Sequence, residues 1–136
     1  MFKYSYGILK LLLFIPIISL GQNLVYNGSF EQYTICPDNG GQINRAKYWF
    51  SANDGHGGSS EYFNACDNLG LCGVPSNFWE TFQYARTGEA YAGCECYENI
   101  SEYREYIEGT LKSPLTESIN YCVIVYPSLR AENRLG

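Results

Sequence analysis

Aromatic, acidic and basic side chains gather in one short stretch, Asn77-Phe78-Trp79-Glu80-Thr81-Phe82-Gln83-Tyr84-Ala85-Arg86. A sugar ring exposes apolar C–H faces that stack on aromatic rings, while nearby polar groups fix its hydroxyls. Trp79 and Tyr84 supply the rings, and Glu80 and Arg86 supply an acceptor and a set of donors. Tyr62 and Tyr97 are expected to flank the same end of the fold. These six are the candidate ligand-binding residues, and a glycan is the candidate ligand. Trp49, Phe82 and Tyr91 are read instead as core, and exposed tyrosines can simply cover β surfaces. Trp79, in a predicted loop beside Pro75, is divided between the two roles.

Other chemistry is poorly supplied. Ser29, Ser59, Ser60 and Ser101 lack a Gly-x-Ser-x-Gly context. His56 is the sole histidine, in the Gly-rich turn Asn53-Asp54-Gly55-His56-Gly57-Gly58-Ser59-Ser60, and reads as a solvated loop residue. A catalytic base needs a rigid element to hold it in register. Cys72, Cys94, Cys96 and His56 could offer zinc four soft ligands, but no CxxC or HxxxH unit occurs. Glu102, Glu105 and Glu108 could in principle run a glycosidase. Charge clusters on strands are usually solvated faces, so no catalytic residue is assigned and the chain is not expected to be an enzyme.

Met1 to Gly21 reads as a secretory signal peptide. Lys3 and Lys10 precede the apolar run from Leu11 to Ile18, and Ser19-Leu20-Gly21 offers small residues before a cut at Gln22. The run is shorter than the roughly 20 residues of a membrane span. No comparable run follows, so the mature chain, Gln22 to Gly136, is expected to lack a transmembrane segment. The whole chain has 136 residues and carries nine basic and fourteen acidic side chains, and the leader takes two of the basic ones. Such an acidic surface repels phosphate backbones and excludes a general nucleic-acid binder. The expected address is secreted, periplasmic or cell-surface.

All six cysteines fall in the exported part: Cys36, Cys66, Cys72, Cys94, Cys96 and Cys122. An even count in an oxidising compartment suggests disulfides, with several pairings open. Cys36 and Cys66 sit in loop-like surroundings, and their bridge is favoured. It would stabilise by about 3–4 kcal/mol through loop closure. Cys94 and Cys96 are two apart in a predicted strand, which puts their α-carbons about 6.5–7 Å apart, at the limit of bridging geometry. Each is expected to pair elsewhere or stay a buried thiol.

Helical periodicity is nearly absent, and strand-like runs alternate with turn residues. Extended segments are expected at Leu24–Tyr26, Phe30–Tyr33, Ala46–Ser51, Phe82–Ala85, Glu89–Tyr97, Tyr103–Leu111 and Tyr121–Tyr126. Glu61–Asn64 reads as a short strand or one helical turn. Tyr103, Glu105, Ile107, Gly109 and Leu111 alternate onto one face of their strand. The predicted class is all-β, an antiparallel β-sandwich in a single domain over residues 22–136.

Three segments resemble galactose-binding-like jelly rolls, a family that includes carbohydrate-binding modules. They are Asn23-Leu24-Val25-Tyr26-Asn27-Gly28-Ser29-Phe30-Glu31, Gly88-Glu89-Ala90-Tyr91-Ala92-Gly93, and Tyr106-Ile107 through Pro114-Leu115 to Tyr121-Cys122-Val123. More narrowly, the chain is similar to the N-terminal β-sandwich domain of surface proteins from gliding bacteria. The residues that carry this are Asn23 to Tyr33, Cys36-Pro37, Tyr62 to Cys66, Val74-Pro75-x-Asn77, Gln83 to Gly88 and Arg104 to Ile107. Such proteins often continue into a type IX sorting domain or an outer-membrane-protein-A-like, peptidoglycan-binding domain. The resemblance implies a jelly-roll fold, an exported or outer-membrane address, and downstream domains as neighbours. It also implies a structural calcium, for which Glu31, in the opening motif, and Asp54, in a loop, are the candidate ligands.

The chain departs from the family pattern at Glu117-Ser118-Ile119-Asn120 and at Pro127. Fewer strands are legible than the about eight of a jelly roll, so the sandwich is expected to be incomplete at its C-terminus. The function expected is non-catalytic carbohydrate or cell-surface glycan binding. The alternative is a structural or adhesion component of the cell envelope with no specific small ligand.

Overall fold

The computed structural model describes residues 21–52, 59–68, 70–79, 82–96 and 103–129. The expected leader, Gly21 apart, lies outside these residues, as do Asp54, His56, Glu80, Tyr97 and Glu102. The class is all-β. Among the described residues there is one short 3-10 turn, η1 (Ile43–Arg45), and four short strands, β1 (Trp49–Ser51), β2 (Glu61–Asn64), β3 (Ala90–Gly93) and β4 (Ile107–Gly109). They form two separate antiparallel pairs, β1 with β4 and β2 with β3. Glu61–Asn64 therefore takes the strand option. No helix among the described residues is long and apolar enough to cross a membrane.

Single bridges extend these pairs. Val25 bridges Leu111 and Tyr33 bridges Ala46. The Tyr26 N–H donates to the Thr110 carbonyl at 3.0 Å, and the Lys112 N–H to Leu24 at 2.7 Å, so 24–26 runs beside the end of β4. Asn27 fixes the turn that follows. Its φ of 49° is left-handed, which Asn tolerates better than most residues. Its side-chain amide donates to the carbonyls of Gln32 and Lys47, and its side-chain oxygen accepts from the Gln32 N–H.

β2 is the centre of the molecule, since all four of its residues are buried. Alternation sends Tyr62 and Asn64 to one face and Glu61 and Phe63 to the other. On the first face Tyr62 packs with Ile43, Ala46 and Ala90, and Phe30, Trp49, Ala92 and Ile107 lie against them. The Tyr62 hydroxyl donates to the Phe30 carbonyl at 2.7 Å and accepts from the Asn64 amide at 2.8 Å. Burial pushes this phenol up to about 12, so it stays a hydroxyl at physiological pH. On the second face Phe63 meets Tyr91, Trp79 and Phe78, with ring centroids 5.0, 5.1 and 5.9 Å away.

Two glycines make room for the two tryptophans. A Cβ on Gly93 would lie 2.7 Å from the Trp79 ring, and one on Gly109 would lie 2.7 Å from the Trp49 ring. Each indole thus covers a strand position that has no side chain, the close approach that a glycine inside a strand permits.

The alternation expected over 103–111 holds as far as Gly109 and ends there, since Leu111 is exposed. Glu105 is buried, Ile107 and Gly109 are half-buried, and Arg104, Tyr106 and Glu108 are exposed. The expected solvated glutamate face fails at Glu105. Its carboxylate accepts from the Ser59 N–H at 3.0 Å, the Glu95 N–H at 2.7 Å and the Tyr103 hydroxyl at 3.0 Å. These donors replace the water that burial removes. The strand expected over Tyr121–Tyr126 is also absent, and Val123, Ile124 and Val125 are 85, 67 and 72% exposed. Its β-branched residues favour a strand only where a neighbouring edge completes the ladder, and among the described residues none does. Phe82, expected in the core, is 58% exposed.

Gly88 closes a long-range contact. Its φ is +69°, and an added Cβ would overlap the Glu31 carboxylate. Gly88→Ala is therefore expected to cost about 2–3 kcal/mol, combining left-handed strain with displacement of a hydrogen-bonded carboxylate. Urea unfolding monitored by tryptophan fluorescence measures it.

Candidate functional site

Residues 82–85 leave a bridge at Phe82 and reach a bend at Arg86. Phe82 bridges Ser76, and the Gln83 N–H donates to the Pro75 carbonyl at 2.7 Å. In an extended chain alternate residues share a face. Here Phe82, Tyr84 and Arg86 are exposed while Gln83 and Ala85 are half-buried. The Phe82 and Tyr84 rings meet edge to face, 5.2 Å between centroids at 89°. The Arg86 guanidinium lies 3.4 Å from the centroid of the Tyr126 ring, within cation–π range. Gln83 adds a second tie, its side-chain oxygen accepting from the Ser128 hydroxyl at 3.0 Å. These two side-chain contacts tie 126–128 to 83–86.

The result is an open platform. Tyr84 is 65% exposed and Tyr126 is 62% exposed. The Tyr84 ring offers apolar surface, and Arg86, seated over one face of the Tyr126 ring, offers donors near it. A stacked guanidinium is held in place on its aromatic support, which lowers the entropy lost when it binds a hydroxyl or carboxylate.

Sequence reasoning placed Tyr84 and Arg86 here but missed Phe82 and Tyr126. The signal for Phe82 was present in the i, i+2, i+4 spacing of Phe82, Tyr84 and Arg86. No local signal marks Tyr126, because the contact joins residues 40 positions apart in sequence. Trp79 is half-buried and serves the aromatic layer against Phe63 and Phe78. Tyr62 is not at a rim: it is 0% exposed in the core, where no ligand can stack on it. Tyr91 is half-buried, its hydroxyl accepting from the Asn77 amide at 2.8 Å.

The Glu31 carboxylate is directed at backbone donors. It accepts from the N–H groups of Glu89 and Ala90 at 3.1 Å each, which joins the opening motif to the start of β3. This is a structural role, and no group of three or more His, Cys, Asp or Glu among the described residues could hold a metal ion. Cys36 and Cys66 form the expected disulfide, with α-carbons 6.0 Å apart. Cys72, Cys94, Cys96 and Cys122 are free thiols. Cys72 is buried, donates to the Asn39 carbonyl at 3.1 Å, and is pushed up to about 11 by burial.

No family model, curated protein or solved structure matches the chain.

Proposed function

We propose that this chain is an exported, non-catalytic binding module that takes a carbohydrate or cell-surface glycan on the Phe82–Tyr84–Arg86–Tyr126 platform. The fold we propose to carry it is a galactose-binding-like jelly roll, of which the two small antiparallel sheets are parts. The observation behind the ligand class is the exposed aromatic patch of Phe82, Tyr84 and Tyr126 with Arg86 seated on the Tyr126 ring. Flat apolar rings beside a fixed donor suit a ligand with an apolar face and a hydroxyl rim. An acidic overall charge and the Cys36–Cys66 staple suit an exported protein.

A panel of neutral and acidic glycans, presented to the folded protein, tests this. Binding is expected for at least one glycan class, with Kd in the range of about 1 μM to 1 mM that a shallow site supports. Silence across the panel with the fold intact would instead favour a structural or adhesion role in the cell envelope. That second reading draws on the exposed apolar run 123–125, a surface suited to protein contacts.

A further inference from the structure

We propose that Cys94 and Cys96 form a thiol–disulfide exchange site that closes to a second disulfide in exchange with a low-molecular-weight disulfide such as oxidised glutathione. The two sulfurs lie 3.7 Å apart. A disulfide needs about 2.05 Å, a gap that small side-chain rotations close. A regular strand would hold the two apart, but β3 ends at Gly93, which frees 94–96 from strand geometry.

Glu105 sets this turn. Its backbone N–H donates to the Glu95 carbonyl at 2.9 Å, and its carboxylate accepts from the Glu95 N–H at 2.7 Å. Both backbone groups of the residue between the cysteines are thus held by one buried glutamate on the approach to β4. The other free thiols stand apart from this arrangement: Cys72 is buried against Asn39, and Cys122 lies in the exposed 121–129 segment.

The two thiols are not equivalent. Cys96 is exposed and meets an incoming disulfide first. Cys94 is half-buried, and burial pushes its thiol up to about 11. The Cys96 thiolate attacks one sulfur of the glutathione disulfide, whose S–S bond breaks, and one glutathione thiolate leaves and takes up a proton. Cys94 then loses its proton and attacks the Cys96 sulfur, expelling the second glutathione. Two protein thiols are oxidised, and one glutathione disulfide becomes two glutathione thiols.

The protein, with Cys36–Cys66 intact, is equilibrated in glutathione redox buffers at about pH 8, where thiol exchange proceeds readily. Remaining thiols are then alkylated under denaturing conditions and the protein is cut with trypsin. The peptide from Thr87 to Arg104 contains both cysteines and no others. It is expected to lose two hydrogens and carry no alkyl group. Because it closes so small a ring, this bond should reopen at a reduced-glutathione level about tenfold or more below that which opens Cys36–Cys66. Cys94→Ser should stop at a glutathione adduct on Cys96. A doubly alkylated peptide, a terminal adduct in the native protein, or a link to Cys72 or Cys122 would overturn the assignment. An adduct forming as fast on Cys94 in Cys96→Ser would overturn the order of attack.

Discussion

Phe63→Ala is expected to destabilise the protein by about 3–5 kcal/mol, the range for an aromatic ring removed from a packed core. Phe63 is fully buried at the centre of β2 and touches the rings of Phe78, Trp79 and Tyr91. Its loss leaves a cavity beneath three rings that cannot all collapse into it, because Trp79 is already seated on Gly93. Against a total stability of about 5–15 kcal/mol this is a large fraction. Urea unfolding should show a lower midpoint with an unchanged slope, and Trp79 fluorescence should shift red in the folded state. Tyr62→Phe is a milder comparison, since it keeps the ring and removes only the hydroxyl that joins Phe30 and Asn64. A midpoint for Phe63→Ala equal to that of the native protein would contradict the layered core.

Removing the Cys36–Cys66 disulfide is the second large effect. The bridge joins cysteines 30 positions apart. Closing a loop of that length restricts the unfolded chain and contributes about 3–4 kcal/mol. The folded state loses little directly, because neighbouring bonds hold the same loop. Arg45 donates to the Cys36 carbonyl and pairs with Asp38 at 2.9 Å, and the Cys66 N–H donates to the Asn64 side chain. The double variant Cys36→Ala/Cys66→Ala should therefore fold to the same structure and unfold at a lower urea concentration. The double variant is preferable to adding reductant, which also acts on Cys94 and Cys96. An unchanged midpoint would mean that the unfolded chain is already compact there.

The opening motif shows how much was legible in the sequence, and why. Asn27 and Phe30 enter the sequence reading only as part of a resemblance, and Glu31 enters it as a candidate calcium ligand. In the structure Asn27 bridges Gln32 and Lys47, Phe30 packs tilted on Trp49 with centroids 4.5 Å apart, and Glu31 accepts from the N–H groups of Glu89 and Ala90 at the start of β3. The spacing of such residues is visible in one dimension; their distant partners are not. The same holds for Glu105. Its alternation puts it on one face with Ile107 and Gly109, while its charge argues for solvent. Glu105 stays inside because two N–H donors from other segments, Ser59 and Glu95, and the nearby Tyr103 hydroxyl meet its carboxylate. Tyr121–Tyr126 failed in the opposite way, since strong local β propensity cannot supply a partner edge. Cys36–Cys66 was legible because both cysteines stand in turn-rich sequence that a bridge can join.

The platform is the central claim, and Tyr84→Ala tests it most directly. Tyr84 is 65% exposed and rests edge-on against Phe82, so its removal should leave the unfolding midpoint within the small range typical of surface changes, about 0.5 kcal/mol. Titration of the native protein with the best glycan from the panel, followed by calorimetry, gives the reference Kd. The account predicts that Tyr84→Ala weakens that Kd by about tenfold or more, as for a ring that carries stacking energy at the centre of a site. Undiminished glycan affinity in folded Tyr84→Ala would contradict it.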